Sequence, residues 1–274
     1  MKGDMSAFAS HLLSFSKRTR MILATVASTA AFFASISIPF VYFPLVVVVF
    51  GIAIYILTWY GLKDYIDGKE WYMLFVTPVV WSVVWYLFYF LTPIRWISRL
   101  NALLAYIVMY YAILSTNNIL NVAKTQSLQL LRVARTVNQI IHVTMTYLFI
   151  LVLFAFEFHW ALNSFFIFCY FSFIYTQFYW SHFVGGGGSR GDVSYQSPSV
   201  LTSAIITTLA TFMFFLPIYT LAQRVAILAA STYVLSGLLV VHIQDKVFPT
   251  YYREFVIALL IIIPALLLSI QWGV

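Results

Sequence analysis

The sequence predicts an all-α integral membrane protein, a polytopic bundle of about nine transmembrane helices with the N-terminus inside and the C-terminus outside. Three observations predict it. Of the 274 residues, 63% are hydrophobic and 8% are charged, whereas a soluble domain carries about 25% charged residues. Long stretches such as 40–56 and 256–268 are apolar on every face. That is the pattern of a spanning helix, which needs about 20 mostly apolar residues, and not the short alternating pattern of a barrel strand. The basic residues, finally, are sorted by side. The composition excludes soluble enzymes, disulfide scaffolds and disordered chains together. The single Cys169 has no partner, so neither disulfides nor cysteine-based metal sites arise.

Residues 1–20 form an expected cytoplasmic N-terminal segment. Phe8, Leu12, Leu13 and Phe15, with Lys17, Arg18 and Arg20, suit a stretch lying along the inner surface as well as an unstructured tail. The apolar run that follows is longer than the core of a cleaved signal peptide, so an uncleaved signal anchor is expected. Residues 21–274 are read as one transmembrane domain. Its spans are expected at about 21–38, 41–61, 71–92, 98–116, 140–158, 161–183, 200–219, 222–243 and 254–272, ends being the least sharply defined feature of hydropathy. The first two are separated by a very short turn at Pro39 and Pro44 and should form an antiparallel hairpin. With these spans, twelve Lys and Arg residues fall on inner segments and three, Arg95, Arg99 and Arg224, on outer ones. That is a strong positive-inside bias and fixes the expected orientation. Prolines 78, 217 and 264 fall within spans, where they free backbone carbonyls for other polar partners.

Between the fourth and fifth spans a polar inner segment is expected over about 117–139. Asn118, Asn121, Thr125, Gln129, Arg132, Thr136 and Gln139 recur at steps of three and four, as on one helical stripe. The stripe reads either as the solvated face of a helical extension or as a docking face for anionic lipid or a partner. In the second case Arg132 and Arg135 would read phosphate. A Gly-rich inner loop is expected over about 184–199; it lacks the strand, helix start and lysine of a phosphate cradle.

The sixth span is rich in rings, and Phe168, Phe171 and Tyr175 are the candidate wall for an apolar ligand. Asn163 and Gln177 in the same span are expected to bond neighbouring helices. No span holds an acidic or basic side chain near its expected midpoint, which demotes coupled ion transport. His242, Asp245 and Arg253 at the inner side form a candidate headgroup site. No metal-binding pair, acidic metal motif or nucleophile elbow stands in a supporting context. Catalytic residues therefore stay unassigned, the chain leans away from being an enzyme, and no metal or cofactor is implied.

The expected function is to bind or handle lipid-like or apolar molecules, or to scaffold a membrane complex, in a bacterial-type inner membrane or a plasma membrane. The expected partners are membrane lipids and a membrane-protein partner or second copy, not nucleic acid. Two alternatives stand beside it. One is a small-molecule permease, whose polar path would use Thr25, Ser28, Thr29, Thr202, Ser203, Thr207 and Thr208. The other is an interfacial lipid-modifying enzyme working through His242, Asp245 and Arg253. The topology is directly testable. In a Cys169→Ser background, Arg95→Cys or Arg224→Cys should react with a membrane-impermeant maleimide in intact cells, whereas Lys63→Cys should react only after permeabilisation. Labelling of all three in intact cells overturns the orientation.

Overall fold

The structure, a computed structural model, describes residues 15–63, 71–93, 95–123, 129–184, 195–215 and 220–243, together with 253, 255–257, 260, 261 and 264. Eight helices have defined bounds: α1 Lys17–Ile36, α2 Phe43–Leu62, α3 Met73–Tyr89, α4 Trp96–Val122, α5 Leu131–Ala155, α6 Trp160–Phe183, α7 Gln196–Phe214 and α8 Leu221–Ile243. The described residues from 253 to 264 are helical as well. All eight but α3 are long and apolar enough to cross a membrane, seven in number, and α3 is a shorter apolar helix of 17 residues. The chain is thus a helical, multi-pass membrane protein. It divides into two compact units, Met1–Val122 and Ala123–Val274.

In the first unit α1 begins where Ser16 caps it, its hydroxyl accepting from the Thr19 N–H at 3.3 Å. α1 and α2 pack together as the expected hairpin, joined through Pro39 and a 3-10 turn, Phe40–Tyr42, with Pro44 in the first turn of α2, where a missing N–H costs nothing. α2 is apolar almost throughout, yet its burial is periodic. Val46, Phe50, Ile54 and Thr58 are buried, while Leu45, Val48, Val49, Ile52 and Ile56 are exposed. An exposed apolar stripe of this length on a helix is a lipid-facing surface.

Polar groups inside this unit are tied helix to helix. The Tyr106 hydroxyl on α4 shares a 3.0 Å hydrogen bond with Ser82 on α3, and that of Tyr110 shares one of the same length with Thr58 on α2. Phe32 of α1 stacks on Tyr106 with ring centroids 4.9 Å apart. Pro78 cannot donate to the carbonyl one turn before it, that of Leu74. The Asn117 amide of α4 donates to this carbonyl at 2.7 Å, so the carbonyl freed by the proline is satisfied from a neighbouring helix.

In the second unit α5 and α6 are joined by a tight link in which Glu157 takes a positive φ of 51° and His159 caps α6, its ring accepting from the Ala161 N–H. α6 and α7 meet along a seam of hydroxyls. Ser164 pairs with Thr211 at 2.6 Å, Ser172 donates to Ser203 at 3.0 Å, Thr176 donates to Ser199 at 3.0 Å, and Tyr179 pairs with Thr202 at 2.6 Å. Small hydroxylated residues let two helices approach closely in lipid and bond across the contact. On α8, Gly237 accommodates the ring of Phe255, which occupies the space that a β-carbon would take.

The polar segment expected as one stripe over 117–139 is divided. α4 runs on to Val122 and α5 starts at Leu131, and residues 124–128 lie outside the described residues. Asn117, Asn121 and Asn138 are buried within their units, whereas Gln129, Arg132 and Thr136 are exposed. Hydropathy reads a buried amide and a solvated one alike, which is why the expected span ends fell short at 116 and 140. The Gly-rich loop lies largely outside the described residues.

The role of Asn117 can be measured. Asn117→Ala should destabilise the purified protein by about 1–2 kcal/mol in reversible denaturation. The same change made in a Pro78→Ala background should cost clearly less, because an alanine at that position returns an N–H to the Leu74 carbonyl. Equal costs in the two backgrounds would refute the link.

Candidate functional site

α5 extends about two turns further towards its N-terminus than hydropathy indicated, and this moves His142 to the middle of a membrane-spanning helix. The expectation that no span carries an ionisable side chain near its midpoint is therefore corrected. Asn138, His142 and Thr146 follow one another at steps of four along α5, and all three are buried. A spacing of four keeps side chains on one face of a helix, and this face meets α6.

The imidazole is oriented by its own helix. Its Nδ1 lies 2.7 Å from the Asn138 carbonyl oxygen, which can only accept, so Nδ1 is the protonated nitrogen. In the neutral ring Nε2 is then an acceptor, and this atom is buried without a hydrogen-bond partner. The Gln177 amide and the Ile174 backbone of α6 both approach the imidazole, although neither the nitrogen nor the oxygen of the Gln177 amide completes a hydrogen bond. Thr146 lies between the hydroxyls of Tyr170 and Tyr175, and all three hydroxyls are likewise buried and unpaired. Ser236 of α8, whose hydroxyl donates to the Tyr233 carbonyl, also comes near Tyr175.

Thr146, like Thr77 and Thr207, has a buried hydroxyl that makes no full hydrogen bond. Thr25, Ser82, Thr202, Ser203 and Thr232, all buried, return their hydroxyls to a carbonyl one turn back on their own helices. Thr146 does not, and its hydroxyl is left for the cluster. Rings enclose these groups. Tyr170 stacks on Phe149 at 3.8 Å, Tyr175 stacks on Phe171 at 5.3 Å, and Phe178 lies 5.4 Å from both His142 and Tyr175. The result is an uncharged cluster of hydrogen-bonding groups with aromatic walls, deep in a helical bundle.

The residues expected from sequence are distributed more widely. Phe171 and Tyr175 are buried in this cluster, while Phe168 is exposed. Arg132 is exposed at the start of α5. Arg135 is half-buried and donates through Nε to the Ser181 carbonyl at 3.3 Å and through Nη2 to the Val184 carbonyl at 2.6 Å. These are among the carbonyls that the end of α6 leaves without helical partners, and a cation there also complements the helix dipole. Asn138 strengthens the same contact by donating to the Ser181 hydroxyl at 2.9 Å. His242, on the last turn of α8, and Arg253 are exposed, and Asp245 lies outside the described residues. Of the polar-path residues, Thr25, Ser28, Thr29, Thr202, Ser203 and Thr208 donate to carbonyls of their own helices. Their hydroxyl protons are thereby already used.

Sequence reasoning found Phe171 and Tyr175 but missed His142, Thr146 and Tyr170; it expected Asn163 and Gln177 to bond neighbouring helices, whereas Asn163 donates to the Phe158 carbonyl just before its own helix and Gln177 completes no hydrogen bond. The four-residue spacing of Asn138, His142 and Thr146, running from a polar stretch into an apolar one, was the available signal. Compared with protein-family models, with curated proteins and with solved structures, the chain matches none.

The two arginines should separate in a stability measurement. Arg135→Gln should lower the stability of the purified protein by about 1–3 kcal/mol, as expected for lost charge-assisted bonds to carbonyls, whereas Arg132→Gln should leave it unchanged. The reverse order would mean that the cap on α6 contributes nothing.

Proposed function

We propose that this chain is a nine-span protein of a bacterial-type inner membrane or a plasma membrane, with its N-terminus inside, that binds lipid-like molecules within its second unit. On this reading α3 is the short span and the helical residues after 253 belong to the ninth. The observation that carries the binding role is the gathering of His142, Thr146, Tyr170, Tyr175 and Gln177, buried polar groups that lie against one another without completing full hydrogen bonds and are walled by rings. Each buried polar group without a partner costs about 1–3 kcal/mol. A molecule with an apolar body and a polar head satisfies both the rings and the polar atoms.

The absence of a formal charge within the cluster supports a neutral or weakly polar guest over an ion. The exposed apolar faces of the helices supply the route, since a lipid-like guest reaches the bundle sideways from the bilayer. Membrane lipids are the partners this reading requires, and no catalytic step is assigned to the site.

Native mass spectrometry with lipid extraction on the gently purified protein tests the proposal. The wild type should carry a lipid-like molecule at defined stoichiometry, and Gln177→Leu should lose most of it while remaining monodisperse. A wild-type protein that is bare, or whose adducts are unaffected by Gln177→Leu, would refute the binding role.

A further inference from the structure

Two protonation states of the His142 ring find partners in this packed cluster, independently of any lipid the protein holds. The imidazole meets acceptors on two helices. The Asn138 carbonyl oxygen lies 2.7 Å from Nδ1. From α6 the Ile174 backbone and the Gln177 side chain lie against the same ring. Ile174 is in mid-helix, so its N–H is used along α6 and the group it can offer is its carbonyl, which keeps a second lone pair. The helices α5 to α8 contain no acidic residue, so no carboxylate among them fixes the charge of the ring.

A neutral imidazole has one proton to give, and the Asn138 carbonyl takes it. Nε2 then carries a lone pair, for which a carbonyl is the wrong partner. Gln177 can serve either state. Its amide presents nitrogen on one side and oxygen on the other, and the two are so alike in size that turning the group over needs no cavity. We infer that His142 is a reversible proton-binding site in the middle of α5, with the Gln177 amide as its two-faced partner. In the neutral state the amide nitrogen donates to Nε2. When a proton arrives, the Nε2 lone pair forms the new N–H bond, the amide turns over, and this N–H donates to the Gln177 carbonyl oxygen while Nδ1 goes on donating to Asn138. The ring gains one positive charge, and no electrons are exchanged.

Dipoles and rings receive that charge. Three carbonyl oxygens then surround the imidazolium, and the Phe178 ring lies 5.4 Å from it, within the distance of a cation–π contact. The titratable groups that face it are few. From α6 come Tyr175, its ring 6.1 Å away, and half-buried His182, which packs on the same Phe178 ring at 4.6 Å. Tyr170 and Tyr179 are turned to Thr146 and Thr202. On α8, Arg224 and His242 stand near the two ends and Tyr233 packs on Phe255. α7 holds no titratable side chain, and on α5 Arg135 is bound to the carbonyls that end α6.

Nitrogen NMR reads both imidazole nitrogens directly. Full-length protein with isotope-labelled histidine, in phosphatidylcholine nanodiscs, is followed from about pH 8 to about pH 4 and back, across the ordinary histidine range. His142 is assigned by elimination, since His11→Gln, His159→Gln, His182→Gln and His242→Gln each remove one other signal. His142 should begin with one protonated nitrogen and end with two, reversibly and with an unchanged near-ultraviolet circular dichroism spectrum. Gln177→Leu, which removes both faces of the partner, should weaken the proton affinity of His142 about tenfold, the worth of one charge-assisted hydrogen bond. Gln177→Glu, of the same shape but with a carboxylate, should strengthen it. A His142 signal that stays singly protonated until the protein unfolds would overturn the proton site. Identical titration in the wild type and both variants would overturn the pairing with Gln177. If Gln177→Leu does not fold, Gln177→Glu decides the matter, and neither outcome depends on whether the protein purifies with lipid.

Discussion

Lipid offers no hydrogen bonds, and this single deficit organises both units of the protein. In water an unpaired carbonyl or hydroxyl costs little because solvent takes the missing place; within a bilayer each must find its partner in the chain. The Leu74 carbonyl loses its partner to Pro78 and gains the Asn117 amide. The Tyr106 and Tyr110 hydroxyls, at the centre of the first unit, find Ser82 and Thr58 on different helices. In the second unit the carbonyls that end α6 receive Arg135. Each of these bonds also fixes which helix lies beside which, so satisfying the backbone and choosing the neighbours are one event.

Such bonds are individually modest, about 0.6–2 kcal/mol in membranes, because a helix separated from its partners still finds other polar groups. Their effect lies in specificity. An apolar helix such as α2 slides and rotates in lipid at small cost, since one greasy face resembles another. The pairing of Thr58 with Tyr110 selects one rotation of α2, and the stack of Phe32 on Tyr106 does the same for α1. Along α6 and α7 the four hydroxyl pairs fix the register as teeth do, since a shift of one turn would misalign them all. Aromatic side chains fill the remaining space with stiff, flat volumes that lose little rotamer entropy on burial.

The sequence exposed the class of the fold through its lack of charge, and the hairpin of α1 and α2 through the spacing of Pro39 and Pro44. It concealed where α4 ends and α5 begins, for a physical reason. Asn117, Asn121, Asn138 and His142 are polar, and a hydropathy profile assigns such residues to water. In the folded units they face inwards, bonded or gathered, and the helices continue through them. The same ambiguity hid the candidate site. Tyr175 and Gln177 stood out within an aromatic span, but their significance depends on His142 and Thr146, which lie some thirty residues earlier in the chain and meet them only after α5 and α6 pack. Arg135, which resembled a phosphate reader beside Arg132, is drawn instead to the end of α6. A spacing of three leaves the two side chains only about 60° apart around the helix, so they part because the free carbonyls of Ser181 and Val184 hold Arg135.

The choice of histidine at the centre of the second unit follows from these constraints. A carboxylate at that depth would need a permanent counter-charge, and the cluster offers none among its polar groups. A serine or threonine can turn back to its own helix, as Thr202 and Thr232 do, and its hydroxyl has no fixed character as donor or acceptor. An imidazole can meet the backbone with one nitrogen and still present the other about 2 Å away across the ring as a fixed acceptor. The carbonyl of Asn138 makes that choice, and it can do so because it carries a second lone pair beyond the one used in its helix. A helix backbone thus sets the polarity of a group aimed out of it, without a single charge. Sites that must distinguish a donor from an acceptor in lipid, where every ion is expensive, have few other means of doing so.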